Sequence, residues 1–133
     1  MFTLTLVTPQ KKLLEGAEVK DVFVPAYRGE LQILPGHAPL VTTLTAGVLK
    51  YHLKDSEKLE SVAISWGYCQ VSPTGVTVMA EIAELAQDIN VVAAQKDRTE
   101  ALEALAKVTY DGFEAERRKF EQAEARINAA KTH

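Results

Sequence analysis

The sequence has little of what most catalytic and metal-binding sites are built from. A single cysteine, Cys69, excludes an internal disulfide and any metal site with several cysteine ligands. The three histidines, His37, His52 and His133, lie far apart, and none stands at metal-ligand spacing from another histidine or cysteine. No Walker-type phosphate loop and no GxGxxG motif is present. The residues therefore predict no metal centre, no catalytic site and no bound cofactor.

Basic charge and long apolar runs are also scarce. Fifteen basic residues stand against eighteen acidic ones, a net charge of −3, so the chain lacks the basic surface that nucleic acid requires. No apolar run approaches the ~20 residues that cross a bilayer. The opening residues alternate like a strand rather than forming the apolar core of a signal peptide. We therefore expect no nucleic-acid partner and no direct insertion into a membrane.

Residues 1–87 follow a period of two, which is typical of strands with one buried face. Phe2, Leu4 and Leu6, for example, alternate with threonine and valine. Glycine and proline recur every few positions between such runs, as in the predicted turn at Glu15-Gly16. This half of the chain predicts a domain of about ten short strands, a β-sandwich or barrel.

Residues 88–133 are rich in alanine, glutamate, lysine and arginine, which favour helices. Asn90 is a favourable N-cap for a first helix, and a second is expected from about Phe113 after a short connection over residues 107–112. The apolar seam of the second helix is Phe120, Ala123, Ile127 and Ala130. The prediction is an α+β chain: a β-sandwich, then an antiparallel two-helix hairpin. Because alanine buries little area, we expect this tail to be the least stable part.

The segment from Glu30 to His37 allows a catalytic interpretation. Glu30 and His37 flank a Pro-Gly turn, and a carboxylate with an imidazole can act as an acid–base pair in a small hydrolase. The alternative is a strand followed by a turn, with two polar residues that happen to flank it. We prefer the alternative, since the sequence names no third group and no pocket. Cys69 is expected to be buried, and His52 is expected to be a solvated side chain on the polar face of a strand.

The same segment carries a resemblance. The run GELQILPGHAPL from Gly29 to Leu40 resembles the signature of the epsilon subunits of rotary, F-type, proton-translocating ATP synthases. The opening Leu4–Pro9 and the segment Val71–Val78 are similar to the family as well. The similarity covers the entire chain.

The resemblance implies a non-catalytic subunit of the central stalk, or rotor, which couples proton-driven rotation of the c-ring to the gamma subunit and ATP synthesis. Gamma and the c-ring are the implied partners. With no transit peptide visible, we expect a peripheral protein on the cytoplasmic face of a bacterial inner membrane. The residues that match the family's c-ring contact are Glu30, Leu31, Ile33, Leu34, Pro35, Gly36 and His37. Among these, Glu30 is expected to pair with basic groups of the ring and His37 to donate a hydrogen bond.

In this family the helical tail regulates ATP hydrolysis. It folds against the sandwich or extends along gamma toward the alpha and beta catalytic subunits and inhibits ATP hydrolysis. The resemblance implies that Arg117, Arg118 and Lys119 face an acidic segment of the beta subunit. The alternative is a solvated helix with pairs between its own turns, such as Glu114 with Arg118.

The chain departs from the family at a motif through which some bacterial relatives bind ATP. The matching positions are Ile89, Asn90, Ala93 and Ala94. Asparagine replaces the acidic residue and Ala93 replaces the arginine, so a charged partner for phosphate is missing. We therefore expect weak or absent ATP binding, although Arg98 lies a turn further on. A Gly-Gly pair of the family is Trp66-Gly67 here, and a family glycine is Gln32.

A second class of function stays open. A stand-alone β-sandwich that binds other proteins and dimerises through its helices would have the same patterns. Such a module would form a stable homodimer and would show no affinity for gamma.

Overall fold

A computed structural model describes residues 2–109 and 112–132. The described strands are β1 (Thr3–Val7), β2 (Lys12–Ala26), β3 (Gly29–Ile33), β4 (Leu40–Leu44), β5 (Gly47–Leu53), β6 (Leu59–Ser72) and β7 (Gly75–Leu85). A single 3₁₀ turn (Ala86–Asp88) leads into the helices α1 (Val91–Lys107) and α2 (Phe113–Thr132). The predicted order of a strand-rich half and a helical half is confirmed.

The strands form one hydrogen-bonded sheet that folds over on itself into a sandwich. Its order is β1-β7-β6-β4-β2-β3, with β5 joining β2 to β6 and β1 also pairing with β2. The pairing of β1 with β7 is parallel, and the other pairings are antiparallel. Alternate residues point inward, so the period of two becomes an apolar core. The largest fully buried apolar side chains are Leu4, Leu6, Ile33, Leu49 and Ile64. The predicted β-sandwich is confirmed.

The predicted strand number was too high: the sheet has seven strands rather than about ten. The predicted turn at Glu15-Gly16 lies inside β2, where Gly16 has a φ of 62° and the pairing with β1 shifts register. Gly67 likewise lies inside β6, where a Cβ would overlap the carbonyl oxygen of Met79. Gly16 marks an irregularity in the pairing of a long strand, and Gly67 marks a close approach of two strands; both features use the same residue as turns.

The helices form the predicted antiparallel pair on one face of the sandwich. The side chain of Asn90 accepts a hydrogen bond from the Ala93 N–H at 3.0 Å, which confirms it as the N-cap of α1. Ion pairs join Asp97 to Arg126 and Arg98 to Glu124, so the two helices run in opposite directions. The predicted connection over residues 107–112 includes residues 110–111, and these, like His133, lie outside the described residues.

A small apolar cluster joins the tail to the sandwich, because α2 packs on β5 and β6. The buried residues of this cluster are Ala63, Ile89, Ala125 and Ala129. Three of the four are alanines, so little apolar area is removed from water at this interface. The division of the chain into two domains at residue 87 stays a prediction.

Candidate interaction sites

One end of the sandwich is a turn that we call the tip, residues 34–37. It follows β3 directly, and the His37 N–H donates to the Leu34 carbonyl at 3.1 Å. Pro35 and Gly36 occupy its central positions, and Gly36 has a φ of 85°. Proline followed by a residue with positive φ is the arrangement of a type II turn, which explains the Pro-Gly pair.

A second turn supports the tip. The Gly36 N–H donates to the carbonyl of Pro73 at 3.0 Å, so the tip lies beside the turn between β6 and β7. In that turn the Ser72 hydroxyl donates to the Gly75 carbonyl at 3.3 Å. Leu34 is 50% exposed, and Pro35 and Pro73 are exposed as well. The tip is therefore a fixed, exposed surface with apolar side chains at one end of the molecule.

The residues expected to form one contact surface separate into three groups. Leu34, Pro35, Gly36 and His37 lie at the tip. Ile33 is 0% exposed and Leu31 packs against the same core. Unlike the residues of the tip, these two side chains are therefore not on the surface where a partner could contact them. The reason is the period of two in β3, which turns both side chains inward.

Glu30 lies at the other end of β3 and already has a partner. Its Oε2 is 2.9 Å from the Lys50 Nζ, and the Lys50 ammonium stands 5.7 Å from the centre of the Phe23 ring. His37 Nδ1 donates to the Ala38 carbonyl at 2.8 Å. Glu30 and His37 are thus each bonded to a different neighbour, and the structure gives no support to an acid–base pair.

The basic cluster of α2 is engaged within the chain. Arg117 donates to Glu114 at 2.8 and 2.9 Å and also to Glu121, and these bonds lower the pKa of Glu114 and raise that of Arg117. Lys119 pairs with Glu116 at 3.5 Å. Pairs between the turns of the helix were expected; the hydrogen-bonded partner of Glu114 is Arg117 rather than Arg118, whose positive charge also lowers the pKa of Glu114.

Arg118 is directed to the sandwich instead. Its guanidinium lies 4.4 Å from the centre of the Trp66 ring, a cation–π contact between α2 and β6. The sequence alone marks Trp66 only as a departure from a glycine of the family. The structure gives it a partner in the tail.

Arg126 is a contact residue that the sequence did not reveal. Its guanidinium donates to Glu84 on β7 at 2.7 and 3.4 Å and to Asp97 on α1 at 3.4 Å. The arginine side chain is only 19% exposed, so solvent weakens these bonds less than those of a surface pair. We call these three residues the Arg126 clamp. It connects both helices to the sandwich.

The positions of the altered ATP motif hold the start of α1. The Asn90 side chain is used as the helix cap, while Ile89 and Ala94 are buried. Arg98 pairs with Glu124 at 3.4 Å. No side chain at the motif positions carries a charge for phosphate, and the nearby arginine has a carboxylate partner.

Cys69 and His52 are two further residues that the sequence singled out, and they lie in neither the tip nor the tail. Cys69 is buried as predicted, and burial raises the pKa of its thiol to about 12. His52 was expected to be solvated, which was wrong: its Nδ1 lies 2.9 Å from Asp21 Oδ1, and both side chains are mostly buried. Asp21 also accepts the His52 backbone N–H at 3.2 Å, so the pair fastens β5 to β2.

Within residues 2–109 and 112–132, no helix is long and apolar enough to span a bilayer. The same residues contain no cluster of three histidine, cysteine, aspartate or glutamate side chains that could hold a metal ion.

Comparison with known proteins gives one consistent family. Residues 1–86 match the family model described as "ATP synthase, Delta/Epsilon chain, beta-sandwich domain". The chain is similar to the ATP synthase epsilon chain of Bdellovibrio bacteriovorus, with 57% identity over 93 residues, 70% of this chain and 66% of that one. It is also similar to the epsilon chain of Prochlorococcus marinus, with 35% identity over 97% of both chains.

Solved structures agree on the fold. A chain of the Euglena gracilis mitochondrial ATP synthase superposes with a TM-score of 0.85 at 22% identity, covering 99% of this chain and 81% of that one. A chain of the Tetrahymena thermophila mitochondrial ATP synthase gives a TM-score of 0.66 at 16% identity, covering 97% of this chain and 96% of that one. The sandwich and the two-helix tail are therefore found together in other proteins.

Proposed function

Because this chain belongs to the ATP synthase delta/epsilon family, we propose that it is the epsilon subunit of a rotary ATP synthase, a non-catalytic member of the central stalk. The observation that carries the proposal is similarity to an epsilon chain over 97% of both chains, sandwich and tail together. The Euglena gracilis chain belongs to an assembly with OSCP, F1 and the c-ring, and the Tetrahymena thermophila chain belongs to one of the central stalk and the c-ring. The chain would thus lie peripherally, on the cytoplasmic face of a bacterial inner membrane.

The tip is the part of this chain that we assign to the c-ring. Leu34 and His37 are the side chains proposed to touch it, with Pro35 and Gly36 setting the shape of the turn. The hydrogen bond from Gly36 to Pro73 keeps the tip in one conformation, which lowers the entropy lost on binding. Gamma is the proposed partner of the sandwich. Because the chain would bind both gamma and the c-ring, it would couple rotation of the c-ring to gamma.

Replacing both Leu34 and His37 with alanine should weaken attachment to the c-ring about tenfold, because an apolar contact and a hydrogen-bonding ring are lost. Binding to membranes carrying the c-ring, and ATP-driven proton pumping after reassembly with gamma and the catalytic subunits, measure the effect.

The control is Gln10→Ala. Gln10 is exposed and lies between β1 and β2, whereas the opposite end of β1 pairs with the start of β7, beside the turn that supports the tip. We expect this variant to bind and pump like the parent chain. The assignment of the tip fails when both variants pump equally well, or when Gln10→Ala is the more damaging of the two.

The isolated chain should not saturate with ATP at sub-millimolar concentration, because no arginine stands at position 93 and Arg98 is paired with Glu124. Isothermal titration measures this directly. A variant with Asn90→Asp and Ala93→Arg restores the charges of the motif and serves as the comparison. Saturation of the parent chain below 1 mM (roughly −4 kcal/mol or stronger) would contradict the expectation.

For the tail we propose inhibition of ATP hydrolysis. Its interface with the sandwich is mostly alanine, so leaving that interface exposes little apolar surface. Once extended, α2 would offer Arg117, Arg118 and Lys119 to the acidic face of a catalytic subunit. Gel filtration with and without gamma separates this assignment from a dimeric stand-alone module, which would elute as a homodimer and would not bind gamma.

A further inference from the structure

Trp66 has an unusual backbone conformation. Its φ is 38°, and among the described residues it is the one non-glycine residue with positive φ. A side chain with a Cβ is disfavoured in this region, most of all a bulky one, whereas glycine enters it freely. The residue lies within β6, next to Gly67, which approaches the backbone of Met79 and Ala80 closely. The sheet therefore holds a tryptophan where glycine would fit with less strain.

The indole ring gains a contact with the tail from this position. Trp66 is half-buried and lines the crevice between the sandwich and α2, together with Tyr27 and Phe120. The Arg118 guanidinium stands 4.4 Å from the centre of the ring. Tryptophan is the aromatic side chain that attracts cations most strongly. A glycine at position 66 would relieve the backbone and remove this contact.

Arg118 lies on the face of α2 that meets the sandwich. It precedes Ala125 by two helical turns, and Ala125 and Ala129 are buried against Ala63. The Arg126 clamp holds the C-terminal half of the same helix. The contact of Arg118 with Trp66 holds the N-terminal half of α2, which the alanine cluster at Ala125 and Ala129 does not contact.

We propose that Trp66 is a latch for the tail: the strained residue in β6 captures Arg118 and keeps the N-terminal half of α2 on the sandwich. This proposal rests on the proposed function only in treating the docked tail as one of two states. It adds to the alanine cluster and the Arg126 clamp an attachment of the N-terminal half of α2 that glycine at position 66 would not provide.

Hydrogen exchange on the full chain tests the latch. In Trp66→Gly, Trp66→Ala and Arg118→Gln, amides of residues 113–122 should exchange about two- to five-fold faster, the effect of one exposed cation–π contact. The strain predicts a second result of opposite direction: amides of β6 and β7 should be better protected in Trp66→Gly than in Trp66→Ala. Arg118→Gln should leave the strands unchanged.

Lys119→Gln is the matched control, because it removes one positive charge from the same helix, and the ion pair of Lys119 within residues 2–109 and 112–132 is with Glu116 of that helix. Its exchange should equal that of the parent chain. The latch is overturned when residues 113–122 keep their protection without the ring, or when Lys119→Gln loosens them equally. Since the isolated chain is used, this failure is distinct from a failure of the inhibition assay.

Discussion

Replacing Gly67 with alanine is expected to lower the free energy of unfolding by about 3 kcal/mol, the upper part of the range for overpacked cores. A Cβ at this position would overlap the Met79 carbonyl oxygen and come within 2.9 Å of the Ala80 Cα. Both atoms belong to the backbone of β7, so no side-chain rotation relieves the overlap. The β6–β7 pairing itself must shift, and urea unfolding followed by circular dichroism measures the loss.

Gly112→Ala is the control for this substitution. Among the described residues, a Cβ there would meet the Val108 side chain at 3.5 Å, an ordinary contact distance. Its free energy of unfolding should stay within about 0.5 kcal/mol of that of the parent chain. If the Gly67 and Gly112 variants unfolded at the same urea concentration, the close approach of β6 to β7 would not depend on the missing side chain.

Replacing Ala129 with leucine should release the tail while the sandwich stays folded. Ala129 is fully buried against the sandwich in a cluster with Ala63 and Ala125. The larger side chain has no space there, and overpacking costs about 1–3 kcal/mol, comparable with what so small an interface supplies. The sandwich core is a separate cluster drawn from residues 2–85, so it does not depend on this contact.

Hydrogen exchange separates the two effects of Ala129→Leu. Amides of α2 should exchange at least tenfold faster, a change of about 1.4 kcal/mol, while those of β6 and β7 keep their protection. Ala115→Leu adds the same atoms to an exposed position of α2 and should change neither. Unaltered protection of α2 in Ala129→Leu would show that the tail is not held by this cluster.

Local signals in the sequence were predictive because their causes are local. Asn90 caps α1 through a bond to a residue three positions away, and the period of two placed Leu4 and Leu6 in the core. The same rule turns Ile33 inward, and only its place in a continuous family motif made it a contact residue. The strand number was wrong in part because Gly16 lies at an irregularity inside β2 instead of ending a strand.

The contacts between residues far apart in the chain had no signal in the sequence. Arg126 meets Glu84 across 42 residues, and His52 meets Asp21 across 31. Such pairs depend on the fold, which decides which charges become neighbours and lose their water. Trp66 is the exception, since a tryptophan in place of a family glycine was visible before the structure explained it.

The most direct test of the account is ATP hydrolysis by a catalytic subcomplex containing gamma, with the full chain added and then with a chain ending at Gln87. The truncated chain keeps the whole sandwich core and should still bind. We predict that the full chain suppresses hydrolysis and that the truncated chain does not. Equal activity with both chains, each shown to be bound, would contradict an inhibitory tail.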